Sequence, residues 1–334
     1  MNVKIILLLG LSFFAVKAVG QDYQVPYTEW GVPNFQSVWK HTSIMPFERP
    51  RSLGEKRFYT EEEARDIERA EQQRFDADNE PLDADRPAPE LAESLPPIGN
   101  YDLFWRDDAQ FIPTIDGEMR TSAIIDPANG RMPQLQPGVM DSVRARRAGL
   151  PNRNDGPEGR GLPERCLVGF GPLAGPIMMP VIYNSHLQFV QSPGHVVIVA
   201  EMVHDARIVK ITDQRNPATE THEKWMGDSI GHWEEDTLVV ETKYFNDWHT
   251  LRGFPVDNLI LTETFRRTGE NKLVYGFRVD DTSVFTSNFY GEYPLSRIDE
   301  SIYEYACHEG NYGMVGILAG ARKLEQMAED ESGR

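Results

Sequence analysis

Short strands in which apolar and polar residues alternate fill the second half of this 334-residue chain, and they limit its fold more than any other feature. From about Met178 the alternation predicts roughly eight or nine antiparallel strands, joined by turns such as Ser192-Pro193-Gly194 and without intervening helices. The predicted strands cover Leu187–Gln191, His195–Met202, Arg207–Ile211, Gly231–Glu234, Thr237–Thr242, Asn258–Arg266, Leu273–Val279, Phe285–Tyr290 and Ile302–Cys307.

A series of antiparallel strands has two exposed edges unless the sheet closes on itself. We therefore predict a mainly β protein built as an antiparallel up-and-down β-barrel of the lipocalin-like type, with a β-sandwich as the alternative. The hairpin Trp233–Leu238 is also similar in sequence to strands of lipocalin-like barrels. A barrel of about eight strands is either filled by its own side chains or holds one small ligand.

The first twenty residues have the features of an export signal. Lys4 provides a basic start, Ile5–Val19 is almost wholly apolar, and Ala18-Val19-Gly20 supplies small residues before a cleavage site. We predict that residues 1–20 are a signal peptide and that the mature chain is periplasmic or secreted, without membrane insertion after cleavage. A buried N-terminal strand or helix is the alternative.

The segment after the signal peptide differs in composition from the strand region. Residues 21–165 are rich in proline and acidic residues and are predicted to form an arm that wraps the barrel. Thr60 and Glu63 form a capping box, which predicts a helix near residues 60–73.

The predicted barrel domain covers residues 166–327. Its last part, Gly316–Met327, has the composition of a short helix. Residues 328–334 then form a charged tail.

Two cysteines, Cys166 and Cys307, are present in the chain. In an oxidising compartment two cysteines most often pair, so we predict a disulfide bond between them. The alternative is a thiol nucleophile in the dipeptide Cys307-His308, although no CxxC motif surrounds it.

The charge of the chain excludes several classes of partner. With 52 acidic and 34 basic residues, the formal net charge is −18, so nucleic acid and anionic membranes would repel the protein. The sequence contains no Gly-rich phosphate loop after a strand and no GxSxG motif. We therefore predict a small-molecule or glycan substrate, no cofactor and no nucleic-acid partner.

The densest polar cluster is His204-Asp205-Ala206-Arg207, at a predicted strand corner. Loops at the mouth of a barrel often carry catalytic side chains. We predict His204 as a general base, with Asp205 and Arg207 binding the substrate and Arg207 holding a carboxylate or phosphate bidentately. The alternative is a turn stabilised by an Asp205–Arg207 ion pair.

A second cluster lies near the C-terminus. By strand alternation Glu304 and His308 share one face, whereas Tyr303 and Cys307 share the other. A carboxylate and an imidazole on an apolar face have the perturbed pKa values that acid/base catalysts need. We predict Glu304 and His308 as catalytic residues and Tyr303 as a substrate-binding residue. In the alternative, Glu304 and His308 only satisfy each other in the core.

The middle strands add further candidates. Trp233 and Glu241 are predicted to bind the substrate. A buried carboxylate at Glu241 or Glu263 needs a partner, for which Arg252 and Arg278 are candidates. Five aromatic residues could line a sugar or aromatic ligand, or pack in the core: Trp225, Trp233, Trp248, Phe289 and Tyr290.

No metal site is predicted. The sequence has no HExxH motif, no paired CxxC motifs and no calcium-binding loop. A composite site of His204, His232 and His308 is the alternative.

Six long motifs together resemble one family, a group of exported bacterial proteins of unassigned activity that often occur in several copies per genome. The likeness extends from about Trp30 to Arg322, and it implies no particular reaction. The motifs are Arg120–Pro127, Glu164–Leu167, Glu201–Arg207, Trp225–Ser229, Asp236–Thr242 and Tyr303–Met314.

Polar clusters in an apolar strand framework, together with export and no cofactor motif, indicate an enzyme. We predict metal-free acid/base catalysis of elimination, hydration or hydrolysis at a C–O bond of a sugar-derived or other cyclic organic substrate. Such an enzyme would be a lyase or a hydrolase. The alternative is a periplasmic lipocalin-like protein that binds a small molecule without catalysis.

Overall fold

A computed structural model describes residues 23–41, 43–80, 85, 109–169, 175, 177–216 and 222–332. The predicted signal peptide lies outside the described residues. Three α-helices are present in the described part of the chain: α1 (Glu61–Asp78), α2 (Val139–Ala148) and α3 (Tyr312–Ser332). The strands are β1 (Ser37–Lys40), β2 (Thr114–Ile115), β3 (Glu118–Met119), β4 (Ile124–Asp126), β5 (His186–Ser192), β6 (His195–Ala200), β7 (Ala206–Ile211), β8 (Asp228–Glu234), β9 (Thr237–Lys243), β10 (Thr250–Leu251), β11 (Phe254–Pro255), β12 (Ile260–Gly269), β13 (Lys272–Asp280) and β14 (Phe289–Ile298).

Nine of these strands form a closed ring in the order β1-β5-β6-β7-β8-β9-β12-β13-β14, and β14 pairs back with β1. The predicted mainly β barrel is therefore confirmed. The pairing of β7 with β8 is parallel, so the ring is mixed and not wholly antiparallel. A parallel pair needs a crossover connection, and residues 212–227 provide it. Strand β4 pairs with the first residues of β14 outside the ring.

The ring has two distinct ends. Three tight turns lie at one end, between β5 and β6, between β8 and β9, and between β12 and β13, and we call it the hairpin end. The opposite end carries the longer connections, including residues 201–205 between β6 and β7 and residues 244–259 between β9 and β12. We call this opposite end the loop end.

Large side chains fill the interior of the ring. They include the fully buried Trp39, Phe189, Phe265, Tyr275 and Phe277. The rings of Phe265 and Tyr275 lie 5.3 Å apart between centroids, and those of Tyr275 and Phe277 lie 5.9 Å apart. The interior is a packed core, so open cavities must be sought outside it.

One strand of the ring comes from the segment that was predicted only to wrap the barrel. β1 lies within residues 21–165 and joins β5 to β14. The prediction of a barrel confined to residues 166–327 was therefore wrong. Alternation could not reveal β1, because this strand has only four residues and its two central residues, Val38 and Trp39, are both buried.

The predicted strand Ile302–Cys307 was also wrong. The last strand, β14, ends at Ile298, and residues 301–306 have no regular secondary structure. Tyr303 and Glu304 are both exposed in this stretch, so the faces inferred from strand alternation do not exist.

The two helices predicted from sequence are confirmed. In α1 the backbone N–H of Glu63 donates to the Thr60 hydroxyl and the Glu63 carboxylate accepts from the Thr60 N–H, as the capping box requires. The helix extends beyond Gln73, where Arg74 pairs with Glu71 at 2.7 Å. α3 includes the predicted Gly316–Met327. None of the helices in the described residues is long and apolar enough to cross a membrane.

A buried histidine in this core should make stability depend on pH. His41 is fully buried, its Nε2 lies 3.0 Å from the Met178 carbonyl oxygen, and burial lowers its pKa from 6.5 to about 4, which the Met178 carbonyl only partly opposes. In the window between these two values the unfolded chain binds more protons than the folded protein, so stability falls as the pH falls. Between about pH 7 and pH 4 we expect a loss of roughly 3 kcal/mol from this residue.

Urea unfolding of the wild type and of His41→Gln at a series of pH values measures this loss. The other titrating groups are common to both proteins, so the difference between the two curves isolates His41. Parallel curves would contradict the assignment of a neutral, buried His41.

Candidate active site

Two cavities lie beside the segment 160–169. The large cavity has a volume of about 1150 Å³ and lies between this segment, the start of β5 and the stretch 300–317. The small cavity has a volume of about 470 Å³ and lies between the same segment and the loop 248–253. The volume of the small cavity is in the range that holds a small organic molecule, and the volume of the large cavity slightly exceeds that range.

A disulfide bond between Cys166 and Cys307 lines the large cavity, and the predicted pairing is confirmed. Its Cα atoms lie 5.7 Å apart. Asn311 strengthens the same junction, because its side-chain amide donates to the Glu164 carbonyl oxygen at 2.8 Å. The alternative of a thiol nucleophile at Cys307 was wrong, since both sulfur atoms are bonded.

A histidine–glutamate pair forms part of the wall of the large cavity. Nδ1 of His186 lies 2.6 Å from Oε2 of Glu201, and the two residues are 8% and 1% exposed. The Asn184 side-chain amide donates to the other carboxylate oxygen, Oε1. The Glu201 backbone N–H also donates to the His186 carbonyl oxygen at 2.9 Å. The Glu201 side chain therefore orients the imidazole, and the backbone hydrogen bond keeps the two residues opposite each other.

The sequence analysis did not predict this pair, although the register of the predicted β5–β6 hairpin indicates it. The hairpin of β5 and β6 places Leu187 opposite Ala200, so the next residues outward, His186 and Glu201, face each other at the loop end. Extending the predicted hairpin register by one residue would have found them.

Two of the predicted site residues do reach the large cavity. Tyr303 and Glu304 line it together with Tyr305, all from the irregular stretch that follows β14. His308 is exposed in the next turn and is not part of this wall. Glu304 and His308 therefore do not share a strand face, and the structure does not bring them together as predicted.

Arg207 does not face a cavity, because it forms an ion pair in the core of the ring. It is 1% exposed, and its Nη1 and Nη2 lie 2.5 and 3.0 Å from the two carboxylate oxygens of Glu263. The Tyr275 hydroxyl donates to Glu263 at 2.9 Å. Burial raises the pKa of Glu263, and the charge of Arg207 and these hydrogen bonds oppose the rise.

This pairing corrects three predictions made for the same residues. Arg207 is not available to a substrate, because both arms of its guanidinium are engaged within the core. It pairs with Glu263 and not with Asp205, and the proposed Glu263 partners, Arg252 and Arg278, are both exposed.

The corner between β6 and β7 separates the other two residues of the first cluster. His204 is exposed and has a positive φ of 46°, whereas Asp205 is half-buried and lines the small cavity. Burial raises the pKa of Asp205 to about 6, while the charge of His204 and the Gly169 N–H act in the opposite direction. Asp205 is thus the member of this cluster that reaches a cavity.

Trp233 and Glu241 lie away from both cavities. The Trp233 ring packs against Phe35, with centroids 5.4 Å apart. Glu241 is 3.2 Å from Arg215 and 3.0 Å from Lys243, and although burial acts to raise its pKa, these two cations hold the pKa below its usual value. Both residues therefore have structural partners where substrate contacts were predicted.

The composite metal site does not form. His232 lies near the hairpin end, where its Nε2 is 3.0 Å from Glu234, whereas His204 lies at the loop end. Within the described residues, no group of three or more His, Cys, Asp or Glu side chains is arranged to hold a metal ion.

Comparison of the chain with known proteins gave no match to a protein-family model, to a curated protein or to a solved structure. The family likeness of the sequence motifs therefore stays a prediction.

Proposed function

We propose that this protein is an enzyme that works by acid/base catalysis in the large cavity, with His186 as the proton carrier. One observation carries the proposal: an imidazole in the cavity wall is oriented by a buried carboxylate, Glu201, which is itself fixed by Asn184. The proposal keeps the reaction class expected from the sequence and assigns the proton transfer to a different histidine.

The geometry of the pair suits proton transfer near neutral pH. Histidine is the side chain whose unperturbed pKa lies closest to physiological pH. A carboxylate that accepts the Nδ1 proton stabilises the imidazolium that forms when Nε2 takes up a proton, and it fixes the tautomer beforehand. Glu201 can fill this role because it is almost completely buried and stays within 2.6 Å of the ring.

The proposed reaction breaks a C–O bond in hydrolysis and in elimination, and hydration, the reverse of elimination, forms one. In hydrolysis, His186 takes a proton from water, the water oxygen bonds to carbon, the C–O bond breaks, and the imidazolium returns the proton to the leaving oxygen. In elimination, His186 takes the proton from carbon, a C–C double bond forms as the C–O bond breaks, and the leaving oxygen again receives the proton. Both routes balance without a metal or a cofactor.

The lining of the cavity suits a sugar-derived or other cyclic substrate. Tyr303 and Tyr305 offer aromatic surface against which a ring can pack. Glu304 supplies a carboxylate for substrate hydroxyl groups, and Asn311 adds an amide to the wall. The volume of about 1150 Å³ exceeds that of a single small ring and fits an oligosaccharide or a larger cyclic compound.

Export forms part of the proposal. Residues 1–20 would direct the chain out of the cytoplasm, and a disulfide such as Cys166–Cys307 persists in oxidising compartments. The enzyme would therefore meet its substrate in the periplasm or outside the cell.

Replacing His186 by glutamine should reduce turnover by about 100-fold or more, which is the usual contribution of a general base. Wild type and variant are incubated with a pool of glycans and small cyclic metabolites, and the products are followed by mass spectrometry. In hydrolysis the products together are heavier than the substrate by one water. In hydration the single product is heavier than the substrate by one water, and in elimination the products together have the mass of the substrate. The wild type should convert a compound that His186→Gln leaves almost unchanged.

His195→Gln is the matched control, because it removes an exposed imidazole at the hairpin end. His204→Gln and His308→Gln should also keep turnover within about twofold, since neither side chain lines the large cavity. If His186→Gln folds normally and remains as active as His195→Gln, the proposal is wrong. A compound that both proteins retain but neither converts would favour a binding protein.

A further inference from the structure

The small cavity contains a set of side chains that the proposed reaction does not use. The hairpin of β10 and β11 turns at Arg252 and Gly253, both with positive φ, as a two-residue turn of type I′ requires. This turn and the residues before it place Trp248, His249 and Arg252 in the cavity wall.

The imidazole of His249 is a buried hydrogen-bond donor in this wall. The residue is 6% exposed, and its Nδ1 accepts from the Thr250 backbone N–H at 3.0 Å. Burial lowers its pKa, which backbone groups of Thr250 and Gly175 only partly oppose, so the ring is neutral near pH 7. A neutral imidazole that accepts through Nδ1 carries its proton on Nε2.

That Nε2 proton has no acceptor in hydrogen-bond geometry among the described residues, although a backbone group of Gly175 lies close enough to act on the pKa of the ring. Nε2 of His249 is buried and has no hydrogen-bond partner within the part of the chain that the structure describes. Buried donors are almost always satisfied in folded proteins, and an exception at a cavity wall needs an explanation, such as a ligand, an ion or a water molecule that accepts from it. The structure thus offers a donor for an external acceptor.

Arg252 adds a positive charge to the same wall. Its guanidinium lies 4.8 Å from the centre of the Phe47 ring, and it forms no ion pair with a carboxylate among the described residues. In a chain with a net charge of −18, an arginine without a carboxylate partner at a cavity is a suitable contact for an anion.

The rest of the lining is mostly apolar. Val168, Met179 and Met226 contribute to the wall, and Trp248 is 51% exposed at its edge. An indole with this exposure can stack on a planar ring. The cavity therefore combines an anion contact, a neutral donor and an aromatic surface.

We propose that the small cavity binds an aromatic carboxylic acid, whose carboxylate accepts from Arg252 and from Nε2–H of His249 while its ring packs against Trp248. This binding function is additional to catalysis in the large cavity. The volume of about 470 Å³ fits a single substituted ring.

Asp205 narrows the class of ligand. Its carboxyl group lies in the same wall and accepts from the Gly169 N–H. When ionised it repels a second negative charge, and it can accept a hydrogen bond from a hydroxyl substituent. The site should therefore prefer a monocarboxylate, with or without a ring hydroxyl, to an aromatic dicarboxylate.

Titration of the full chain with benzoate, 4-hydroxybenzoate, terephthalate and benzyl alcohol tests the proposal, by calorimetry and by saturation-transfer NMR. Benzoate and 4-hydroxybenzoate should bind, whereas terephthalate and the uncharged alcohol should bind at least about tenfold more weakly. Arg252→Gln should weaken benzoate binding by about tenfold or more, because a charge-assisted hydrogen bond is lost.

Arg278→Gln is the matched control, since it removes an equal charge from an exposed position on β13 and should leave benzoate binding unchanged. Nitrogen NMR of the imidazole provides a second readout: benzoate should raise the pKa of His249 and shift its Nε2 signal. Absence of benzoate binding at millimolar concentration, or equal binding by wild type and Arg252→Gln, would overturn the proposal. His186→Gln should bind benzoate like the wild type, so this test is independent of the proposed reaction.

Discussion

Arg207→Met should lower the free energy of unfolding by about 3 to 5 kcal/mol, because it leaves the Glu263 carboxylate buried without its counter-ion. Arg207 and Glu263 are 1% and 0% exposed, and the bidentate contact between them spans the interior of the ring from β7 to β12. Tyr275 alone would then donate to the carboxylate. Urea unfolding measured by circular dichroism gives the difference in stability.

Two further variants separate the loss of the ion pair from the loss of packing. Lys210→Met changes an exposed cation on the same strand and should have little effect. Adding Glu263→Gln to Arg207→Met removes the unpaired charge, so the double variant should be more stable than the single one. An Arg207→Met protein as stable as Lys210→Met would show that the buried pair does not contribute as we infer.

The same single variant should respond to pH in a defined direction. Without Arg207 the folded-state pKa of Glu263 rises further above its unfolded value, so the folded protein retains a proton that the unfolded chain releases. Stability is then lost as the pH rises above the unfolded value. The difference between Arg207→Met and the wild type should therefore be smaller at about pH 5 than at about pH 8.

The second large effect concerns the disulfide bond. Replacing both Cys166 and Cys307 by alanine should lower the free energy of unfolding by up to about 5 kcal/mol, since the bond closes a loop with a sequence separation of 141. The stabilisation comes mainly from restricting the unfolded chain, so reduced wild-type protein should unfold at the same urea concentration as the double variant.

The bond also shapes the large cavity, because Cys166 and Cys307 lie on two segments of its wall. Without it, the stretch that carries Tyr303 and Glu304 loses a covalent link to the opposite wall. The double-alanine variant should therefore bind substrate more weakly while His186 and Glu201 stay in place on β5 and after β6. A change in stability below about 1 kcal/mol would contradict the loop-closure argument.

Much of the fold was accessible from the sequence because strands of the ring carry a regular alternation. β12 shows it well: Leu261, Glu263 and Phe265 point inward, and the residues between them are less buried. The alternation fails where a strand is very short, as in β1, and it misleads where an apolar run lies in an irregular stretch, as at residues 302–307. Local pattern cannot tell an interior strand from a segment that packs on the outside.

The candidate site was harder to predict from the sequence, since it depends on contacts between segments that are distant in the chain. A single acidic residue on an inward face, Glu263, was recognised, but its partner Arg207 lies on a strand that is not a neighbour of β12. His249 lies in a loop without any motif, and the unsatisfied Nε2 atom is a property of the folded structure alone. The Cys166–Cys307 pair was accessible because two cysteines allow only one pairing.

The closure of the ring has a consequence for how the chain assembles. Val38 of β1 pairs with Ile298 of β14, so the first and last strands of the ring must meet across almost the whole described chain. This contact has a large loop-closure entropy cost and cannot form before β14 does, so the closure of the ring is a late event in folding. Until then the free edges of β1 and β13 can pair with the strands of other molecules, so a chain that stops before residue 289 should aggregate where the complete ring does not.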